Sequence, residues 1–166
     1  MAEKSELIKA ETKAFRLLTL RAHSEKELRS KLNAVPFSPE IVDGVVAKCF
    51  RLGYLNDEVF AKQRARVLGA GKLVGDLKIS FDLKEKGVPS DIRTAAIADI
   101  DGEMDETERI RKLIRKRRRG SGAGLTDEKQ RARLIRNLLS RGFPLALIMK
   151  TITEEEEQRV HDDDGE

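Results

Sequence analysis

Hydrophobic residues recur along this chain at intervals of three and four, and they never alternate strictly with polar residues over the length of a strand. This pattern predicts nine helices and therefore an all-α fold. We place the helices at residues 10–22, 25–34, 39–52, 57–69, 75–86, 90–100, 105–118, 127–141 and 145–156. The expected N-caps are Ser24, Ser38, Asn56 or Asp57, Asp105 and Thr126.

The predicted helices fall into three groups of three, and the same turn recurs in each group. The turn residues are Pro36, Gly87 and Gly142, and each is preceded four residues earlier by a leucine: Leu32, Leu83 and Leu138. An isoleucine follows each turn: Ile41, Ile92 and Ile148. These residues are expected in the core, and Gly53, Gly87 and Gly142 are expected to end helices in a left-handed conformation.

The period of about 50 residues is typical of stacked repeats. A lone three-helix unit of this size buries too little surface, so its neighbours should share apolar faces. We therefore predict three tandem three-helix repeats, forming an elongated, curved array. The expected boundaries are an N-terminal extension at 1–11, repeats at 12–55, 56–102 and 103–153, and an acidic tail at 154–166.

The net charge of +4 conceals an asymmetry along the chain. The last fourteen residues carry eight acids and one arginine, so residues 1–152 have a net charge of +11. A body this basic indicates an anionic partner, either nucleic acid or an acidic protein surface.

The sequence contains no arrangement of residues that is typical of an enzyme active site. The histidines, His23 and His161, have no metal-site spacing with the single cysteine, Cys49. The glycines after the basic run, in "RRRGSGAGL", lack the lysine and hydroxyl residue of a phosphate-binding loop. We expect no catalytic residue, metal or cofactor. Without a long apolar run or a signal-peptide core, we also expect a cytoplasmic protein with no membrane contact.

The strongest feature is the basic run "RIRKLIRKRRR" at 109–119, in which eight of eleven residues are Lys or Arg. Because no aromatic residues interleave with the basic ones, base stacking on single strands is not expected. The helices that follow each turn are poor in Arg, Asn and Gln, which argues against sequence-specific DNA readout. The contacts that we expect from the basic run are therefore to phosphates or carboxylates.

Several motifs resemble those of the RecX family over about residues 12–152. They occur in the order "LRAHSEKELRSKL", "GYLNDEVFA", "LKEKGV" and "LLSRGF". The residues expected to have structural roles are Gly53, Tyr54, Leu55, Asp57, Phe60, Gly87, Gly142 and Phe143. The chain departs from the family at Gly75-Asp76, where glycine–proline is usual, and at Val35-Pro36, where a glycine-type turn is usual.

The resemblance implies an all-helical crescent, monomeric and non-enzymatic, that docks along the RecA–DNA filament. It also implies inhibition of the ATPase, strand-exchange and coprotease activities of RecA. Candidate contacts to RecA or to the DNA phosphate backbone are Lys72, Lys78, Arg111, Arg115, Lys116, Arg117, Arg118, Arg119, Lys129, Arg131, Arg133, Arg136 and Arg141. The alternative function is that of an independent DNA-binding protein of the nucleoid or transcription-regulator type.

The acidic tail leaves two interpretations open. Glu154 to Glu157 and Asp162 to Asp164 either fold back onto the basic third repeat and compete with the anionic partner, or form a disordered, solubilising end.

Overall fold

A computed structural model describes residues 2–121 and 128–163, with side chains described at 3–118 and 128–158. These residues form helices and connecting turns, which confirms the predicted all-α fold. The helices are α1 (Ala2–Leu20), α2 (Glu25–Asn33), α3 (Pro39–Arg51), α4 (Asp57–Arg66), α5 (Asp76–Glu85), α6 (Ser90–Glu103), α7 (Glu106–Ser121), α8 (Glu128–Ser140) and α9 (Leu145–Asp163).

The two ends of the chain differ most from the prediction. Helix α1 begins at Ala2, eight residues earlier than predicted. Its N-terminal part is held to the start of α3 by Glu6, which accepts a hydrogen bond from the Ser38 amide. Helix α9 continues to Asp163, seven residues beyond its predicted end at residue 156.

Helix α4 is also shorter than predicted, because a π-helical turn, Val67–Gly71, follows Arg66. The wider turn leads into Leu73, whose φ of 52° is left-handed. Helix α5 begins three residues later, at Asp76.

The chain packs as two compact units. Unit 1 contains residues 2–64 and 82–96, and unit 2 contains residues 65–81, 97–121 and 128–163. In unit 1, helices α1 to α3 bury Ala10, Ala14, Leu28, Leu32, Ile41, Val42, Val45, Val46, Cys49 and Leu55. In unit 2, helices α7 to α9 bury Ile110, Ile114, Leu134, Leu138, Phe143, Ile148 and Ile152.

The predicted turns are present at the expected residues. Gly53, Gly87 and Gly142 have φ values of 74°, 79° and 88°, which favour glycine because other side chains are strained there. The predicted core residue Leu83 is fully buried, whereas Ile92 is only partly buried and lies beside the polar residues of α6.

Most predicted caps are also present. The hydroxyl of Ser24 accepts from the Glu27 amide at 3.1 Å, and that of Ser38 accepts from the Ile41 amide at 3.4 Å. Asn56 and Asp105 cap α4 and α7 in the same way. Thr126 lies outside the described residues.

Four of the remaining motif residues lie in unit 1, and the fifth, Phe143, is buried in unit 2. Leu55 and Phe60 are buried, and Asp57 accepts from the Glu25 amide at 2.9 Å, which ties the start of α4 to the start of α2. Tyr54 is 60% exposed and packs edge-on against Phe15.

Candidate functional site

Four of the predicted cations line one groove in unit 2, which we call the cationic groove. They are Lys72, Lys78, Lys116 and Arg141. The groove has a volume of about 550 Å³, and its polar lining also includes Asn137 and Ser140. Residues widely separated in sequence thus present four positive charges to one concave surface.

Two glycines bring the walls of the groove together. The Gly75 amide donates to the Arg141 carbonyl at 2.9 Å. A Cβ atom at Gly75 would lie 2.4 Å from the Gly142 carbonyl oxygen, and one at Gly142 would lie 2.6 Å from the Lys78 Cβ atom. The start of α5 can approach the α8–α9 turn this closely only because both positions lack a side chain.

Two of the four groove cations also hold the groove in shape. The Arg141 Nη1 atom donates to the carbonyls of Lys72 at 2.7 Å and Leu73 at 3.4 Å. The Lys78 Nζ atom donates to the Ser140 carbonyl at 2.9 Å. These bonds join residues 72–78 to the C-terminal end of α8.

The other two groove cations have no such role. Lys72 and Lys116 are both exposed, and neither forms an ion pair with any described residue. They are therefore the groove cations best placed to neutralise charge on a partner.

A second group of predicted cations lies on α7, and we call it the arginine cluster: Arg111, Arg115 and Arg118. Their guanidinium groups surround Glu155 of α9, at distances of 3.6, 3.5 and 3.5 Å. Arg111 also donates to Glu154 at 2.9 Å. The face that the sequence predicted for an anionic partner therefore already contacts the chain's own carboxylates.

The remaining candidates are distributed along α7 and α8. Arg131 lies 3.8 Å from Glu156. Lys129, Arg133 and Arg136 are exposed on α8, and Arg117 is partly buried on α7. The side chain of Arg119 lies outside the described residues.

Arg109, which was not among the predicted contacts, is fully buried and organises unit 2. It donates to the carbonyls of Val74 at 2.8 Å and Met104 at 2.9 Å. It also forms ion pairs with Asp76, at 2.8 Å, and with Asp101. The sequence signal was its position next to Ile110, at the edge of the apolar stripe of α7.

The acids around Arg109 outnumber it, and this changes their protonation. Burial raises the pKa of Asp101 to about 6, with a further contribution from the neighbouring Asp76 that Arg109 offsets only in part. Burial also raises the pKa of Glu106, although this carboxylate accepts a hydrogen bond from the Asp76 amide. The cluster is a structural network of partly exposed carboxylates around one buried cation at the base of α7.

The described residues contain no group of three His, Cys, Asp or Glu side chains arranged to hold a metal ion. Cys49 is buried in unit 1, and burial raises the pKa of its thiol, which lowers its reactivity. Among the described helices, none is long and apolar enough to cross a membrane.

Comparisons with known proteins agree with this architecture. The chain matches the profiles of the first three-helix domain of RecX, over residues 10–49, and of the third, over residues 104–152. It is 32% identical to the Regulatory protein RecX of Syntrophotalea carbinolica, over 86% of this chain and 93% of that protein. The corresponding protein of Serratia proteamaculans is 34% identical, over 80% of this chain and 89% of its own length.

A solved structure shows the same fold. The crystal structure of RecX from Lactobacillus salivarius superposes with a TM-score of 0.75 at 21% identity, and the match covers 91% of this chain and 97% of that one.

Proposed function

The chain belongs to the RecX family of regulatory proteins, and on that premise we propose that it binds the RecA–DNA filament and inhibits RecA without catalysing a reaction itself. The inhibited activities would be ATP hydrolysis, strand exchange and coprotease function. The protein would act as a monomer, and it would contact both RecA and the DNA phosphate backbone.

The observation that carries this proposal is the cationic groove of unit 2. Lys72 and Lys116 are exposed, form no ion pair with described residues and line a concave surface. Lys78 and Arg141 add further positive charge to the same surface. Lysine ammonium groups bind phosphates and carboxylates as point charges and need no fixed fork geometry. A groove of this kind suits a polyanionic filament, where many weak contacts add up to avidity.

The lining of the groove suits phosphates better than base edges. Among its polar side chains, only Asn137 and Ser140 combine hydrogen-bond donors and acceptors, and no aromatic residue lines it. This composition favours contacts to the backbone of DNA over contacts to base edges.

The test is the inhibition of DNA-dependent ATP hydrolysis by RecA. We expect Lys72→Glu combined with Lys116→Glu to raise the concentration for half-inhibition at least tenfold. The matched control, Lys9→Glu with Lys84→Glu, makes the same charge change at exposed residues of unit 1 that form no ion pair with described residues. This control should shift the concentration for half-inhibition less than twofold.

Two results would contradict the proposal in different ways. Equal inhibition by a folded groove variant would exclude the groove as the contact surface. Absence of inhibition by the unaltered protein, together with equal binding to bare duplex and to filament at physiological salt, would favour the independent DNA-binding protein.

A further inference from the structure

The C-terminal part of α9 is attached to unit 2 in a different way from the rest of that helix. Ile148 and Ile152 are fully buried and fix the first two turns in the core. The next six residues, at 153–158, are Thr-Glu-Glu-Glu-Glu-Gln, and none is apolar. Beyond Ile152, the described part of α9 is therefore held by charge rather than by hydrophobic burial.

The charges that hold it are those of Glu154, Glu155 and Glu156. Glu155 is only 6% exposed and lies among the three guanidinium groups of the arginine cluster. Glu154 adds the pair to Arg111, and Glu156 adds a contact of 3.8 Å to Arg131. Four arginines thus face three carboxylates, so a net positive charge remains.

Glu155 satisfies the arginine cluster poorly, although Arg111 also donates to Glu154 at 2.9 Å. The distances to Glu155, 3.5 to 3.6 Å, are well beyond the 2.7–2.9 Å that is usual for a charge-assisted hydrogen bond. The Nε atoms of Arg111 and Arg118 are buried and have no hydrogen-bond acceptor among the described residues. An anion that brought more oxygen atoms to the cluster would satisfy donors that Glu155 leaves unused.

We propose that the arginine cluster is a second anion-binding surface, for the phosphodiester backbone of a nucleic acid, and that Glu154 to Glu156 occupy it in the free protein. The carboxylates stand where phosphate groups would bind. Guanidinium groups pair with phosphate oxygens in a bidentate manner, which fits a phosphodiester better than a single lysine would. This inference rests on the proposed function in one respect, because that function makes nucleic acid the natural polyanion.

The proposal has a consequence for salt dependence. Each phosphate that the protein neutralises on a single strand contributes about −0.7 to the slope of log affinity against log salt concentration. Removing the internal carboxylates frees the arginines, so it should strengthen binding and also steepen this slope. A mere increase in overall charge would act equally from any position on the surface.

The experiment measures binding of the full chain to a fluorescein-labelled 30-nucleotide oligothymidylate by anisotropy, without RecA, at 50 and 200 mM salt. The test variant combines Glu154→Gln, Glu155→Gln and Glu156→Gln. The control combines Glu3→Gln, Glu40→Gln and Glu85→Gln, which are exposed acids that form no ion pair with described residues.

We expect the test variant to bind about tenfold more tightly at 50 mM salt with a steeper slope, and the control to change less than threefold. Adding Arg111→Gln, Arg115→Gln and Arg118→Gln to the test variant should abolish the gain. Equal tightening by test and control variants, or no tightening by the test variant, would overturn the proposal. The proposal would also be overturned if polyglutamate bound to the test variant as tightly as the oligonucleotide does.

Because Glu155 is buried, a second variant covers the case in which the triple change disturbs folding. Glu154→Gln with Glu156→Gln leaves Glu155 in place and should tighten binding about threefold; no change would count against the proposal. RecA is absent from these measurements, so a failure here is distinct from a failure to inhibit RecA.

Discussion

Gly75 and Gly142 approach each other so closely that a Cβ atom on Gly75 would lie 2.4 Å from the carbonyl oxygen of Gly142. The approach joins the start of α5 to the turn between α8 and α9, and it positions the cationic groove. In the RecX family a proline usually follows this glycine. This chain has Asp76 instead, and the Asp76 carboxylate binds the buried Arg109.

The contact leaves no room for a side chain at Gly75. Gly75→Ala should destabilise the protein by about 2–3 kcal/mol, because the new methyl group would collide with rigid backbone. Gly44→Ala is the matched control: nothing lies within 4 Å of a Cβ atom there, and the change should stabilise α3 by about 0.5–1 kcal/mol. Urea denaturation of both variants checks this, and equal stability of the two would contradict it.

Arg109 should be far more important for stability than for binding a partner. Arg109→Met should lower the free energy of unfolding by about 3–5 kcal/mol, because it leaves the Asp76 and Asp101 carboxylates without their buried cation. Arg66→Met, at an exposed ion pair with Glu103, should change stability little.

The same variants provide a rescue test. Adding Asp76→Asn and Asp101→Asn to Arg109→Met should recover part of the loss, because no carboxylate then stays unpaired. If the added changes destabilise the protein further, the explanation through unpaired charge is wrong.

Asp101 should give unit 2 a stability that depends on pH. Its pKa is about 6 in the folded protein against an ordinary value of 3.8, so between these values the folded state binds a proton that the unfolded state does not. Acidification from pH 7 to pH 4 should therefore add a stabilising contribution, which is lost as the pH rises through 6. Asp101→Asn should remove it from denaturation curves recorded across this range, and Asp91→Asn, at an exposed acid of α6, should not.

His23 should give unit 1 the opposite dependence. Its ring is buried, and burial lowers its pKa, an effect that the hydrogen bond to the Arg21 carbonyl offsets only partly. That bond, at 3.0 Å, requires a hydrogen on Nδ1, and Nε2 then accepts from Lys31 at 2.8 Å, while Glu27 lies close enough to favour protonation.

Below about pH 6.5 the unfolded state therefore gains a proton that folded His23 resists, and stability should fall with acidification. His23→Gln should reduce the difference in unfolding free energy between pH 7 and pH 5. An undiminished difference would show that another group is responsible.

The sequence by itself determined the helices, their turns and most of their buried faces. Helical spacing is a property of neighbouring residues, so Leu32, Leu83 and Leu138 could be placed in cores directly. The glycine stops followed in the same way, because a left-handed φ is a local requirement. The family motifs were also local features of the sequence. The matching domain profiles confirm the membership of the RecX family that those motifs predicted.

Only the tertiary structure decided what each basic residue does. Arg109, Arg115 and Lys116 belong to one basic run, yet they are respectively a buried structural group, a partner of Glu155 and an exposed groove cation. Arg141 bonds to the carbonyl of Lys72, 69 residues away, and Arg115 faces a glutamate 40 residues away. Such partners depend on how helices pack in three dimensions, and the spacing of charges along one helix cannot specify them.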